Sequence, residues 1–135
     1  MLDNSVSAAW CFVDQGTPYT DAVLQSLIEG AEVVVPVIWK LEVVNALVVA
    51  ERRKMVTPEM IATFLWDLQQ LPIIVDLDGL DNVFGAVLDQ ARRYQRSAYD
   101  ASYLELAQRR GLPLATKDEP LRKAAEEMGL SIFQP

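Results

Sequence analysis

The feature that most limits what this chain can fold into is an alternation of short β-branched runs with longer stretches of helical periodicity. Glu32-Val33-Val34-Val35 closes at Pro36, and Ile73-Ile74-Val75 follows Pro72. Between them Ile38, Leu41, Val44, Leu47 and Val48 return every three or four residues, the spacing that lines one face of a helix. Strands separated by helices run parallel, because each helix carries the chain back to the edge from which the next strand starts. A parallel sheet in turn needs helices over both faces.

Local punctuation places the remaining elements. Met1-Leu2 reads as the stub of a first strand ending at Asp3. Helical patterns follow over residues 6–12 and 19–29, the second stopped by Gly30. The second strand is expected at 32–35 and a helix over 37–53. Thr57 and Pro58 make a strong helix start for a segment reaching about Gln70, with the third strand at 73–75. One amphipathic helix is expected over 80–94. Another covers 97–110, with Ser97 as N-cap and Asp100 at capping-box spacing. A fourth strand at 112–115, a helix over 119–128 stopped by Gly129, and a fifth strand at 131–133 complete the chain. The expectation is an α/β fold in a single domain over 1–135, a central parallel sheet of about five short strands flanked by helices on both faces.

Composition removes whole classes of chemistry. The chain has no histidine, which excludes Ser-His-Asp and Cys-His hydrolases, histidine-ligated zinc enzymes and histidine-driven RNA cleavage. Its one cysteine, Cys11, forms no internal disulfide and reads as a small core residue in the apolar run Ala8-Ala9-Trp10-Cys11-Phe12. Carboxylates, lysine, arginine and hydroxyls are what remain. A net charge of −7 speaks against a broad nucleic-acid-coating surface, yet is compatible with an acidic pocket that divalent cations neutralise. The apolar stretch 33–39 is short and broken by Pro36, and Met1-Leu2-Asp3 begins without a basic, apolar leader. The expectation is therefore no membrane segment and a cytoplasmic protein.

In open α/β sheets ligands bind beyond the carboxyl ends of the strands, where strand order reverses. Four acids fall there: Asp3 after the first strand, Glu42 two turns into the helix after the second, Asp100 in the first turn of the helix before the fourth, and Asp118 after the fourth. Each has an ordinary reading as well. Asp100 fits a capping-box acid, Asp118 a turn or N-cap residue, Glu42 a solvated helix acid, and Asp3 a terminal acid without a role. If the first and fourth strands are neighbours, all four converge. Carboxylates so placed repel each other unless cations lie between them, and oxygen-only ligands favour Mg²⁺ or Mn²⁺. The reaction class this implies is metal-assisted phosphodiester hydrolysis.

At these residues the sequence resembles the PIN-domain family, and within it the VapC-type toxins of toxin–antitoxin pairs. The resemblance lies in Leu2-Asp3-Asn4-Ser5-Val6, in Glu42-Val43-Val44-Asn45-Ala46-Leu47, in Tyr99-Asp100-Ala101-Ser102-Tyr103-Leu104-Glu105-Leu106-Ala107 and in Leu114-Ala115-Thr116-Lys117-Asp118, in that order along the chain. It implies that Asp3, Glu42, Asp100 and Asp118 bind Mg²⁺, and that Ser5, Asn45 and Thr116 hold carboxylates or water in place. Asn45 is three residues after Glu42 and so shares its helix face. The resemblance further implies RNA endonuclease activity, a homodimer, and inhibition by a cognate VapB-type antitoxin whose C-terminal segment lies in the active-site groove.

Candidate RNA-binding cations are Lys40, Arg52, Arg53, Lys54, Arg92, Arg93, Arg96 and Lys117; most read as ordinary solvated surface charges, with Lys40 and Lys117 preferred as neighbours of cluster acids. Asp76, Asp78 and Asp81 read as solvated acids of an edge-strand loop, and Trp10, Phe12, Trp39, Phe64 and Trp66 as core or dimer surface. Two other functions stay open: a PIN-like module that binds RNA or protein without catalysis, and a receiver domain phosphorylated on Asp76. A receiver wants threonine and lysine on successive strands, whereas Thr116 and Lys117 are adjacent.

Overall fold

The computed structural model describes residues 1–135, apart from the side chain of Val13. In chain order it runs α1 (Asn4–Cys11), a 3-10 turn (Val13–Gln15), α2 (Pro18–Ile28), β1 (Val33–Pro36), α3 (Ile38–Arg52), α4 (Pro58–Gln70) and β2 (Ile73–Asp76). A 3-10 turn (Asp78–Asn82) and a π turn (Val83–Val87) follow, then α5 (Leu88–Arg93), α6 (Ala98–Arg110) and α7 (Glu119–Glu127). The start signals act as expected. The Thr57 hydroxyl accepts from the Met60 N–H with Pro58 at the first helical position, and Ser97 accepts from the Asp100 N–H. Gly111 closes α6 at φ 62°, a left-handed position that glycine occupies without a Cβ penalty.

β1 and β2 pair in parallel, Val33 opposite Ile73 through Pro36 opposite Asp76. The other three expected strands do not persist as strands. They are reduced to single parallel bridges, Leu2 with Ala115 and Leu114 with Ile132. The backbone explains the loss at one seam. The Leu2 N–H donates to the Val34 carbonyl at 3.2 Å. The return bond of a parallel ladder would have to come from residue 36, and proline has no N–H. The rows still lie side by side in the order β2, β1, 1–3, 114–116, 131–133. In chain order this is third, second, first, fourth, fifth, so the reversal falls between Asp3 and Thr116. The helices gather accordingly: α1 packs with α2 and α3, and α6 with α5 and α7. Right-handed crossovers on either side of a reversal deliver two such groups to opposite faces.

The expected continuous helix over 80–94 is a second correction. It begins as 3-10, widens to π and becomes α-helical only at Leu88. Its first turn is anchored sideways, the Gly79 N–H donating to Asp76 at 2.9 Å and the Asn82 amide to Glu105 at 2.8 Å, and these bonds override the regular register. The core is built from Leu2, Val6, Val23, Val35, Tyr103, Leu104, Leu106, Leu114 and Leu121, all fully buried. Trp39 and Phe12 are buried and Cys11 is half-buried, whereas Trp66 is exposed. Among the described residues no helix is long and apolar enough to cross a membrane.

Candidate active site

The row reversal sets two hydroxyls against one carboxylate. The Asp3 N–H donates to the Ala115 carbonyl at 2.9 Å, which aligns the two row ends. The buried Asp3 carboxylate then receives the Ser5 hydroxyl at 2.5 Å and the Thr116 hydroxyl at 2.7 Å, both on Oδ2. Each hydroxyl is itself held. Ser5 Oγ accepts from the Lys117 N–H at 2.9 Å, and Thr116 Oγ1 accepts from the Asp118 N–H at 3.0 Å. A buried carboxylate needs such donors, because charge removed from water without hydrogen bonds is strongly disfavoured.

The other three acids arrive from helices. Asp118 caps α7, its Oδ1 accepting from the Leu121 N–H at 2.7 Å. Asp100 lies half-buried in the first turn of α6, and its carboxylate does not close a capping box with Ser97. The cap therefore uses the Asp100 backbone and leaves the side chain unspent. Glu42 projects half-buried from α3 and accepts a hydrogen bond from the hydroxyl of Tyr103, a fully buried side chain of α6. Tyr103 was not singled out as a site residue from the sequence. The available signal was its place three residues after Asp100, on the same face of α6.

Charge reaches Asp3 and Glu42 from the other acids in pairs. Burial raises the Asp3 carboxyl above its ordinary value; the Ser5 and Thr116 hydrogen bonds pull it back only in part, and the charge of Asp118 pushes it up again. Burial likewise raises Glu42, the Tyr103 hydrogen bond opposes the rise, and the charges of Asp3 and Asp100 add to it. Burial and the Glu42 carboxylate together push the Tyr103 hydroxyl up, so it stays a donor. Among the described residues none of the four acids joins an ion pair. The acids influence one another pairwise, and no group of three acidic, cysteine or histidine side chains stands gathered as a ready ligand cage among the described residues. The donor set nonetheless fits a hard divalent cation: oxygen only, with negative charge that no protein cation offsets.

The remaining candidates are placed differently. Asn45 is exposed on α3 and makes no hydrogen bond to Glu42 among the described residues. Lys40 is exposed. The Lys117 ammonium donates to the Gln15 carbonyl at 2.7 Å and is thereby tied to the loop before α2. Asp76 corrects the expectation of a solvated acid. It is buried, and Arg109 and Arg110 each bring a guanidinium nitrogen to 2.5 Å from its carboxylate. Both oxygens are occupied, which leaves none for the phosphorylation chemistry of a receiver. Asp78 is exposed and reaches Arg110 only at 3.5 Å.

An apolar groove of about 240 Å³ is lined by Pro36, Leu41, Leu80, Val83 and Tyr99, with Arg109 also in its wall. Leu41 and Tyr99 of its lining directly precede Glu42 and Asp100 in the chain. Compared with known proteins, residues 1–127 match the family model described as PIN domain. No curated protein matches the chain.

Proposed function

The chain belongs to the PIN domain family, and on that footing we propose that it is a Mg²⁺-dependent endoribonuclease, the toxin of a VapBC-type pair, acting on RNA in the cytoplasm. PIN domains are generally nucleases, usually use divalent metal ions and often occur in toxin–antitoxin systems. The observation that carries the finer reading is the Asp3 carboxylate, buried and clasped by Ser5 and Thr116 at the row reversal, with three more acids acting on it directly or in turn and no cation to balance them.

Asp3, Glu42, Asp100 and Asp118 are the residues that would hold the ion, with Mn²⁺ a workable substitute. Bound there, a divalent cation supplies a more acidic water and neutralises charge on the phosphate. The chain does the rest. Ser5 and Thr116 occupy one oxygen of Asp3 and fix the carboxylate plane, while Tyr103 steadies Glu42 on α3. Asp100 and Asp118 stand at the N-terminal ends of α6 and α7, whose partial positive charge favours an incoming phosphate. Lys40 is the better placed of the two lysines to meet RNA, because the Lys117 amine is already engaged. Asn45, exposed on α3 and not bonded to Glu42, would hold a water, as the resemblance implies.

The whole of 1–135 acts as one such domain in this reading. Homodimerisation and a cognate VapB-type antitoxin complete it. The exposed apolar side chains Leu41, Leu80 and Tyr99 that line the groove support a macromolecular partner on that side. The test is cleavage of RNA with Mg²⁺ or Mn²⁺, with and without EDTA, against Asp100→Asn. Cutting that needs the metal and is lost in the variant is expected. Cutting that survives EDTA or Asp100→Asn overturns the mechanism, and no cutting under any condition leaves a non-catalytic RNA- or protein-binding module.

A further inference from the structure

A chain of net charge −7 repels a polynucleotide at long range, so any strand it cuts must be held by cations close to the acids. In the sequence the densest basic run is Arg52-Arg53-Lys54. The fold puts that run at the far end of α3. Arg52 is ten residues beyond Glu42, about 15 Å along the axis at roughly 1.5 Å per residue.

Nearer the acids lies a cleft of about 470 Å³ between the turn that leads into α6 and the side of α7. Arg93, Tyr94, Arg96, Glu119, Lys123 and Glu127 border it. Chain order brings one end of it near two of the acids. Arg96 immediately precedes Ser97, the cap of the helix carrying Asp100, and Glu119 immediately follows Asp118. Gln95 takes φ 51°, a left-handed conformation that side chains disfavour, and the turn so formed presents Arg93 and Arg96 to one cleft. The three cations are uncommitted: among the described residues none of Arg93, Arg96 and Lys123 joins an ion pair, not even Lys123 with Glu119 or Glu127 one turn away on α7. Arg93 lies over the Tyr94 ring at 5.6 Å and the Arg96 Nε donates to the Tyr94 carbonyl at 3.3 Å, contacts that orient both arginines without neutralising them.

We propose that this cleft carries the phosphodiester backbone of the RNA strand as it leaves the acid cluster, Arg93, Arg96 and Lys123 each meeting one phosphate. The proposal rests on the nuclease reading and names where its substrate runs. Glu119 and Glu127 border the same cleft, so its three cations and two acids leave the lining with a net charge of +1.

The experiment measures binding of a labelled single-stranded RNA, and of single-stranded DNA of the same sequence, with EDTA present so that nothing is cut. It compares the wild-type chain with R93A/R96A/K123A and with R52A/R53A/K54A, which removes equal charge far from the acids. The cleft variant is expected to bind about ten- to a hundredfold more weakly at roughly 0.1 M salt, with a log affinity against log salt slope shallower by about 2. RNA and DNA are expected to lose alike, because phosphates are common to both. The control is expected to stay close to wild type. Wild-type affinity in the cleft variant, or an equal loss in the control, overturns the proposal and leaves the nuclease reading standing. A wild-type chain that binds no RNA, with or without Mn²⁺, removes that reading and the cleft with it. Thermal midpoints verify folding, and Lys123→Ala alone, at an exposed position, replaces the triple variant should that fail to fold.

Discussion

Replacing Asp76 by asparagine isolates one charge whose worth the structure lets us work out. Burial alone would raise this carboxyl, but the hydrogen bonds from Arg109 and Arg110 and the Gly79 N–H outweigh it and hold the carboxyl down to about 2, from an ordinary 3.8. At roughly 1.36 kcal/mol per pH unit, the charged form is favoured in the folded chain by about 2 kcal/mol. Arg110 is 44% exposed and partly screened, so the figure is a ceiling rather than a floor. The sign follows from the depressed value. The stabilisation is whole above pH 3.8 and is lost as pH falls through about 2. Asp76→Asn is therefore expected to lower unfolding free energy in urea at neutral pH by up to about 2 kcal/mol, at most roughly 6 to 8 °C in thermal midpoint for a chain of this size. The gap between the two proteins should close as pH drops from about 4 toward about 2. A gap that stays constant over that range would show that shape rather than charge is lost, and an Asp76→Asn protein as stable as wild type at neutral pH would refute the reasoning outright.

Other outcomes follow from the acid cluster. Asp3 and Glu42 have raised carboxyls, so their contribution to stability is present below the ordinary carboxylate range and lost as pH rises through the raised values; Asp3→Asn should raise the thermal midpoint of the metal-free chain at neutral pH while RNA cleavage is lost. Tyr103→Phe keeps the buried ring and removes the donor to Glu42, and should cost about 10- to 100-fold in Mn²⁺ affinity or cleavage, with a thermal midpoint close to wild type. Mg²⁺ at about a hundred times its dissociation constant should stabilise the wild-type chain by about 2.7 kcal/mol in thermal melts, an effect reversed by EDTA and absent in Asp3→Asn. Leu104→Ala, at a fully buried position, should cost about 2 to 5 kcal/mol in urea unfolding without changing Mn²⁺ affinity.

Much of the fold was legible because its signals are local. Thr57 with Pro58, Ser97 and Gly111 mark helix ends through bonds made within one turn, and the β-branched runs at 33–35 and 73–75 mark the two strands that pair as a ladder among the described residues. What escaped was non-local. Whether Leu2 belongs to a ladder depends on residue 36, a partner across the sheet that happens to lack an N–H. The π turn at Val83–Val87 shares its apolar count with an ordinary helix, and only the sideways bonds at Gly79 and Asn82 distinguish them. Asp76 looked solvated because its partners, Arg109 and Arg110, lie more than thirty residues away. At the site, the sequence left the pairing of the first and fourth strands as a condition and offered Thr116 only through the resemblance, and the Tyr103–Glu42 bond needed α3 and α6 to be set against each other.

The account turns on whether the four acids take up a divalent cation together. Mn²⁺ titration followed by electron paramagnetic resonance, on the wild-type chain and on Asp3→Asn, Glu42→Gln, Asp100→Asn and Asp118→Asn, reads this directly. Saturable uptake by wild type that weakens in every one of the four variants is the predicted result. No uptake, or uptake indifferent to which acid is neutralised, would contradict it.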